Sequence, residues 1–126
     1  MEKEEAIRLA GQLLVDSGYV EEEYIEAMLQ REIDLSTYIG NGTAIPHGVS
    51  EAKKRIKKTG ICVLQFPEGI NYGEEEVFIL IGIAGVGNEH LLILSNLAEI
   101  LEDENKVGEL RKTTSTEYIY KQFTQQ

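Results

Sequence analysis

Two histidines are the only imidazoles in this chain of 126 residues, and His47 and His90 each follow a glycine-containing segment at the end of an extended stretch. A neutral imidazole keeps one ring nitrogen free near neutral pH. It can therefore attack as a nucleophile, and a phosphoryl group taken up as a phosphoramidate stays labile enough to be passed on. Such a carrier needs one exposed, oriented ring. Pro46 fixes its own φ and biases Ile45 towards an extended conformation, so Ile45-Pro46-His47-Gly48 presents the imidazole from a stiffened backbone. Gly48 leaves space for close approach by a partner. Taken alone, the same segment also fits a surface histidine in a proline-containing loop.

His90 ends the segment Gly85-Val86-Gly87-Asn88-Glu89-His90, between the most apolar stretch and a leucine-rich one. Glycines allow a sharp turn there, and unpaired N–H groups at a helix start favour an anion through hydrogen bonds and the helix dipole. The segment partly imitates a dinucleotide fingerprint, but its third glycine position is His90 and the βαβ context at the chain start is missing. Gly40-Asn41-Gly42 leads into a strand, as a hairpin turn does, and neither segment carries a Walker lysine. Arg31 is the third candidate, since a guanidinium binds phosphate oxygens in bidentate fashion. The alternative is an exposed helical arginine paired with a neighbour such as Glu32. No metal is expected: Cys62 lies within an apolar run, and neither His-x-x-x-His nor Cys-x-x-Cys spacing occurs.

The elements that must hold these residues can be placed from periodicity. Residues 4 to 16 put Ala6, Ile7, Leu9, Ala10, Leu13 and Leu14 at helical spacing, with Ser17-Gly18 as the stop. Glu21, Glu22 and Glu23 favour a helix start, and Tyr24, Ile25, Met28 and Leu29 carry that second helix to about Glu32. Tyr38-Ile39 and Thr43-Ala44-Ile45 are two extended pieces about Gly40-Asn41-Gly42, leading directly to His47. Thr59 to Phe66 predicts a strand ended by Pro67-Glu68-Gly69, and Val77 to Ala84 a strand covered on both faces. Both are expected at the centre of a sheet. Leu91 to Leu101 is helical, Asn105 to Arg111 is a short helix capped by Asp103, and the Thr114 to Glu117 spacing fits a capping box for the last helix. Helices at both ends and strands between them predict one three-layer domain over residues 1–126, α/β with an α+β borderline character.

Composition narrows the function. Hydrophobic residues at 42% and charged residues at 27% are ordinary globular proportions. A formal charge of -10 would repel a nucleic-acid backbone, so no nucleic-acid partner is expected. The longest apolar stretch, Val77 to Val86, is half the roughly 20 residues of a spanning helix, and the charged N-terminus is unlike a signal peptide. One cysteine excludes an internal disulfide; Cys62 is expected to be an inert core thiol rather than a reactive one, and the cytoplasm is the natural compartment. Lys53, Lys54, Arg55, Lys57 and Lys58 form a basic run, either a solvated face or a docking patch for an acidic partner.

The run Tyr38-Ile39-Gly40-Asn41-Gly42-Thr43-Ala44-Ile45-Pro46-His47-Gly48 resembles the active-site signature of the mannitol/fructose class of phosphotransferase system enzyme IIA proteins. Thr59-Gly60, Phe66-Pro67-Glu68-Gly69 and Asn88-Glu89-His90 leading into Leu91 and Leu92 agree with the mannitol-type branch in particular. The resemblance implies that His47 is phosphorylated by the histidine phosphocarrier protein and donates to a cysteine of the mannitol enzyme IIB domain. It further implies that His90 and Arg31 stabilise the phosphoryl group, that Pro46, Gly48 and Glu32 support the site, and that no cofactor takes part. A mixed parallel and antiparallel sheet flanked by helices is implied as well. In one respect the chain departs from the family: helix-like sequence starts almost at Met1, where relatives carry a short extended segment.

Phosphoryl carriage predicts small, transient interfaces with an apolar centre near His47, drawn from Ile39, Ile45 and Val49. An alternative is a regulatory module of the same fold, nitrogen-type or other, in which phosphorylation of His47 switches binding to a target protein. A third, a metal-dependent hydrolase, would show itself by stoichiometric zinc.

Overall fold

The computed structural model describes residues 1–48 and 50–124, the side chains of residues 50, 51 and 53 apart. Its elements are α1 (Lys3–Asp16), α2 (Tyr24–Asp34), β1 (Tyr38–Gly40), β2 (Thr43–Ala44), a 3-10 segment (Ser50–Arg55), β3 (Gly60–Tyr72), β4 (Glu75–Ala84), α3 (Glu89–Leu101), α4 (Glu104–Lys112) and α5 (Thr116–Thr124). The sheet runs β1-β2-β4-β3, antiparallel at both outer pairs and parallel between β2 and β4. This is the expected mixed sheet of an α/β three-layer fold.

Two apolar clusters, one on each face of the sheet, explain the layering. Ala6, Ile7, Ala10 and Leu14 of α1 and Tyr24 and Met28 of α2 pack with Leu80 and Ala84. Leu97 and Leu101 of α3 and Val107 and Leu110 of α4 pack with Ile79, Ile81 and Ile83. Alternate residues of β4 thus enter opposite cores, which is why its sequence is apolar throughout.

Helix ends follow their local chemistry. Gly18, at φ +81°, closes α1 with Tyr19 N–H donating to Leu14 O and Gly18 N–H to Val15 O, the bond pair of a Schellman stop. Asp103 accepts from the N–H groups of Asn105 and Lys106, as expected. The last helix is capped one residue later than the spacing predicts: Ser115 Oγ accepts from Tyr118 N–H, and Thr114 is no cap.

Two further expectations are corrected. Pro67-Glu68-Gly69 does not end β3; the strand continues to Tyr72, and its register against β4 jumps from Gln65↔Ile79 to Ile70↔Val77. The turn-forming residues are looped out as a bulge within the strand. Nor is β3 central, since it lies at the sheet's edge. At that edge a single parallel bridge joins Glu2 to Asn71.

Candidate active site

The parallel pair β2 and β4 determines where the two histidines meet. Residues that follow the carboxyl ends of neighbouring parallel strands emerge on the same side, where a crevice forms. His47 follows β2 and bridges to Ile83 near the end of β4, with Ile83 N–H donating to Pro46 O at 3.0 Å. His90 follows β4 in the first turn of α3. The loop between them is tight: a Cβ on Gly85 would collide with the backbone nitrogen of His90. Thr59 steadies it, its hydroxyl accepting from Val86 N–H at 3.0 Å.

His47 is half-buried, and its Nδ1 lies 2.8 Å from the Ile45 carbonyl. A carbonyl only accepts, so Nδ1 carries the hydrogen and Nε2 keeps its lone pair. Burial holds the imidazole pKa below its ordinary value. The Ile45 bond opposes that, the charges of Arg31 and His90 reinforce it, and Glu32 opposes it. All three sequence-predicted neighbours therefore act electrostatically on His47. The result is an imidazole that is neutral at physiological pH.

His90 turns its own Nδ1 towards the Gly87 carbonyl at 3.3 Å, so the two imidazoles share one arrangement. Of the N–H groups at the start of α3, those of Glu89 and Leu91 are already bonded to Val86 and Asn88 carbonyls. The start of α3 thus has fewer open backbone donors than the glycine-rich sequence suggests. Arg31 stands in the last turn of α2, where its Nη1 donates to Leu35 O at 2.5 Å. Among the described residues it has no carboxylate within ion-pair distance, and Glu32 pairs with Lys3 at 3.1 Å. The alternative of an Arg31–Glu32 pair is thus overturned.

Glu32 is buried, 6% exposed, and accepts from both Thr37 N–H (2.8 Å) and Thr37 Oγ1 (2.6 Å); Tyr72 joins the network through that same hydroxyl at 3.0 Å. Burial alone would raise its pKa. The bonds from Thr37, Tyr72 and Lys3 outweigh burial and hold it below the ordinary carboxylate value. Its place is the joint between α2 and β1, from which the histidine-bearing hairpin starts.

The reason for Gly48 also changes. A Cβ there would lie 2.5 Å from the Tyr24 ring, so the space is needed by this chain's own side chain. Tyr24, a residue that resembles ordinary helix core in the sequence, bonds to Gly48 N–H and to Ile83 O through its hydroxyl. Its available signal was the phenol itself, because a buried Tyr hydroxyl needs polar partners. Ile45 is 7% exposed and cannot supply contact surface; Ile39 can, at 40%, and Val86, Leu91 and Leu92 add exposed apolar surface before and within the first turn of α3. Val49 lies outside the described residues.

Elsewhere, Cys62 donates to Ala10 O and burial pushes its thiol up to about 11, as suits an inert packing role. In the basic run Arg55 pairs with Glu21 and Glu23, while Lys54 and Lys57 are exposed. Among the described residues no three His, Cys, Asp or Glu side chains converge to hold a metal ion, and no helix is long and apolar enough to cross a membrane.

Comparisons with known proteins identify the family. The sequence pattern of the family described as "Phosphoenolpyruvate-dependent sugar phosphotransferase system, EIIA 2" matches residues 1–126. The mannitol-specific phosphotransferase enzyme IIA component of Enterococcus faecalis is 52% identical over 121 residues, covering 93% of this chain and 83% of that protein. The PTS system mannitol-specific EIICBA component of Escherichia coli is 48% identical over 120 residues; they are 93% of this chain and only 19% of that longer protein. A solved complex of enzyme IIAMTL and phosphorylated enzyme IIBMTL from Escherichia coli superposes with a TM-score of 0.92 at 44% identity, covering 99% of this chain and 89% of the matched one. With its whole length inside the family's pattern, the chain belongs to the EIIA 2 family of the phosphoenolpyruvate-dependent sugar phosphotransferase system.

Proposed function

We propose that residues 1–126 act as one phosphoryl-carrier domain of a mannitol phosphotransferase system. His47 accepts phosphate from the histidine phosphocarrier protein and passes it to a cysteine of enzyme IIB. The observation that carries this reading is the neutral, half-buried His47 imidazole, its Nδ1 bonded to Ile45 and its Nε2 without a hydrogen-bond partner among the described residues, within the fields of Arg31 and His90. The mannitol-specific Enterococcus relative and the Escherichia coli complex with enzyme IIB support the substrate and the acceptor.

In the loading step Nε2 forms a bond to phosphorus as the donor's phosphorus–nitrogen bond breaks and its electron pair returns to the donor imidazole. The proton on Nδ1 stays, and the Ile45 carbonyl faces the positive charge that grows there. Arg31 and His90 offer donors to the phosphoryl oxygens, so positioning and electrostatics suffice and no cofactor is called on. Pro46 and Gly48 hold the backbone, and Glu32 holds the joint behind Arg31. Exposed Ile39, Val86, Leu91 and Leu92 give the apolar contact area of a small, transient interface. The cytoplasm, where phosphoenolpyruvate and the donor are found, is the compartment in this scheme.

The test is incubation with phosphoenolpyruvate, enzyme I and the phosphocarrier protein, followed by intact mass. One acid-labile phosphate is expected, absent in His47→Ala and slowly turned over in His90→Ala. Addition of isolated mannitol enzyme IIB should then empty the carrier. A labelled His47 that never discharges to enzyme IIB would favour the regulatory reading, and label on His90 would reverse the assigned roles.

A further inference from the structure

A residue bridged to a neighbour in a parallel ladder is flanked by two backbone bonds to the residue opposite. For His47 opposite Ile83, the first is made directly, from Ile83 N–H to Pro46 O at 3.0 Å. The second would run from Gly48 N–H to Ile83 O. Here it is relayed: Gly48 N–H donates to the Tyr24 hydroxyl at 2.8 Å, and that hydroxyl donates to Ile83 O at 2.8 Å. Two such bonds in series hold the backbone nitrogen and oxygen further apart than the roughly 2.9 Å of a direct bond. The bridge to Ile83 persists, but the ladder is loosened at the peptide that follows His47.

We propose that Tyr24 is a positioning residue, its hydroxyl wedged between the Gly48 amide and the Ile83 carbonyl so that the chain peels off the sheet after His47 and the imidazole is held facing outward. The importance of this for phosphoryl transfer rests on the carrier reading above. The ring and the hydroxyl have separate tasks. Contact with the ring, 2.5 Å from where a Gly48 Cβ would be, sets how close the loop approaches α2. The hydroxyl, with its one hydrogen and one acceptor site both engaged, sets the orientation of the His47–Gly48 peptide. Tyr24 is 2% exposed and anchored in the first turn of α2, so the wedge is itself rigid. Burial raises the phenol pKa, and the hydroxyl keeps its proton, hence both bonds, across the neutral range.

Tyr24→Phe retains the ring and removes only the wedge. With the phosphoenolpyruvate, enzyme I and phosphocarrier system, phosphate uptake at completion should remain one per chain, while the transfer rate falls about tenfold to a hundredfold. The ring ¹⁵N shifts of unphosphorylated His47 should move away from those of a single Nδ1–H form. Gln65→Ala serves as the stability control, because it deletes only the amide that binds the Leu110, Arg111 and Thr113 carbonyls. It should lower the melting temperature yet keep the wild-type rate and His47 shifts. A wild-type rate with wild-type shifts in Tyr24→Phe, or equal slowing by Gln65→Ala, overturns the proposal. If Tyr24→Phe does not fold, the wild type decides. An Overhauser contact between the Tyr24 hydroxyl proton and the Gly48 amide proton supports the wedge, and unprotected exchange of that amide refutes it. A wild-type chain that takes up no phosphate would sink the carrier reading and leave these resonance measurements to judge Tyr24.

Discussion

Nδ1 of His47 faces the carbonyl of Ile45, two residues back along its own chain, at 2.8 Å. Pro46 lies between them with its φ restrained, so this contact is built into the backbone rather than left to side-chain packing. It fixes which nitrogen keeps its lone pair. Phosphorylation is expected at Nε2, and in a ¹⁵N-labelled, phosphorylated sample the phosphorus should couple to that nitrogen. Coupling to Nδ1 would mean that the ring turns over before it reacts.

Arg31 and His90 each depress the basicity of His47, after the larger effect of burial. Arg31→Gln removes a positive charge, so the His47 titration midpoint should rise from its value below the usual 6.5, as read from ring proton shifts. In the proposed mechanism the neutral ring is the nucleophile. The acid limb of the transfer rate should therefore move to higher pH, and the rate at neutral pH should fall about a hundredfold as an anion contact is lost. Arg31→Lys should restore most of the midpoint, but less of the rate, because a point charge replaces a planar fork. An unchanged midpoint in Arg31→Gln would place the guanidinium too far away to act.

The site was partly legible in sequence because its positions are fixed locally. Gly40, Asn41 and Gly42 all adopt positive φ (99°, 52° and 69°), which is the reason three such residues adjoin in a hairpin tip. The apolar run of β4 announces a strand between two helical layers, and a parallel neighbour then brings its end beside His47. What was not legible depends on distant partners. Pro67-Glu68-Gly69 is a turn signature that becomes a bulge only because β4 supplies pairing partners on both sides of it. Tyr24 has the spacing of any core residue, and only the Gly48 amide and Ile83 carbonyl, far off in sequence, give it a special task. Glu32 is similar, since Lys3 of α1 and Tyr72 of β3 join the network that it forms with nearby Thr37.

Glu32 makes stability depend on pH. Its folded pKa lies below the unfolded value, burial being outweighed by the bonds it accepts. The folded state therefore binds the proton less readily than the unfolded one. The resulting stabilisation is complete above the unfolded carboxylate pKa, and it is lost as pH falls through the folded pKa. Glu32→Ala leaves Thr37 N–H buried without its acceptor and should cost about 2 to 3 kcal/mol at neutral pH in urea unfolding. The difference between variant and wild type should shrink as the solution is acidified below the ordinary carboxylate range. A constant difference across that range would show that shape, and not charge, makes the contribution.

Asn41 connects the hairpin to the C-terminal end of α3, the helix whose first turn carries His90. Its Nδ2 donates to the carbonyls of Leu101 and Glu102, both at 3.1 Å, satisfying acceptors that the C-terminus of α3 leaves open. Its backbone sits at φ +52°, where asparagine is tolerated and alanine costs about 1 to 2 kcal/mol. Two substitutions separate these contributions. Asn41→Gly loses the amide but relaxes the backbone, and the net loss of the capping bonds should be about 1 kcal/mol. Asn41→Ala loses the same bonds and adds the left-handed strain, so it should be the less stable variant by at least a further ~1 kcal/mol. Neither change touches His47, Arg31 or His90, so transfer rates should fall much less than in Arg31→Gln. Equal stability of the two variants would mean that the hairpin tip can leave the left-handed region without cost, and that asparagine is there for its side chain alone.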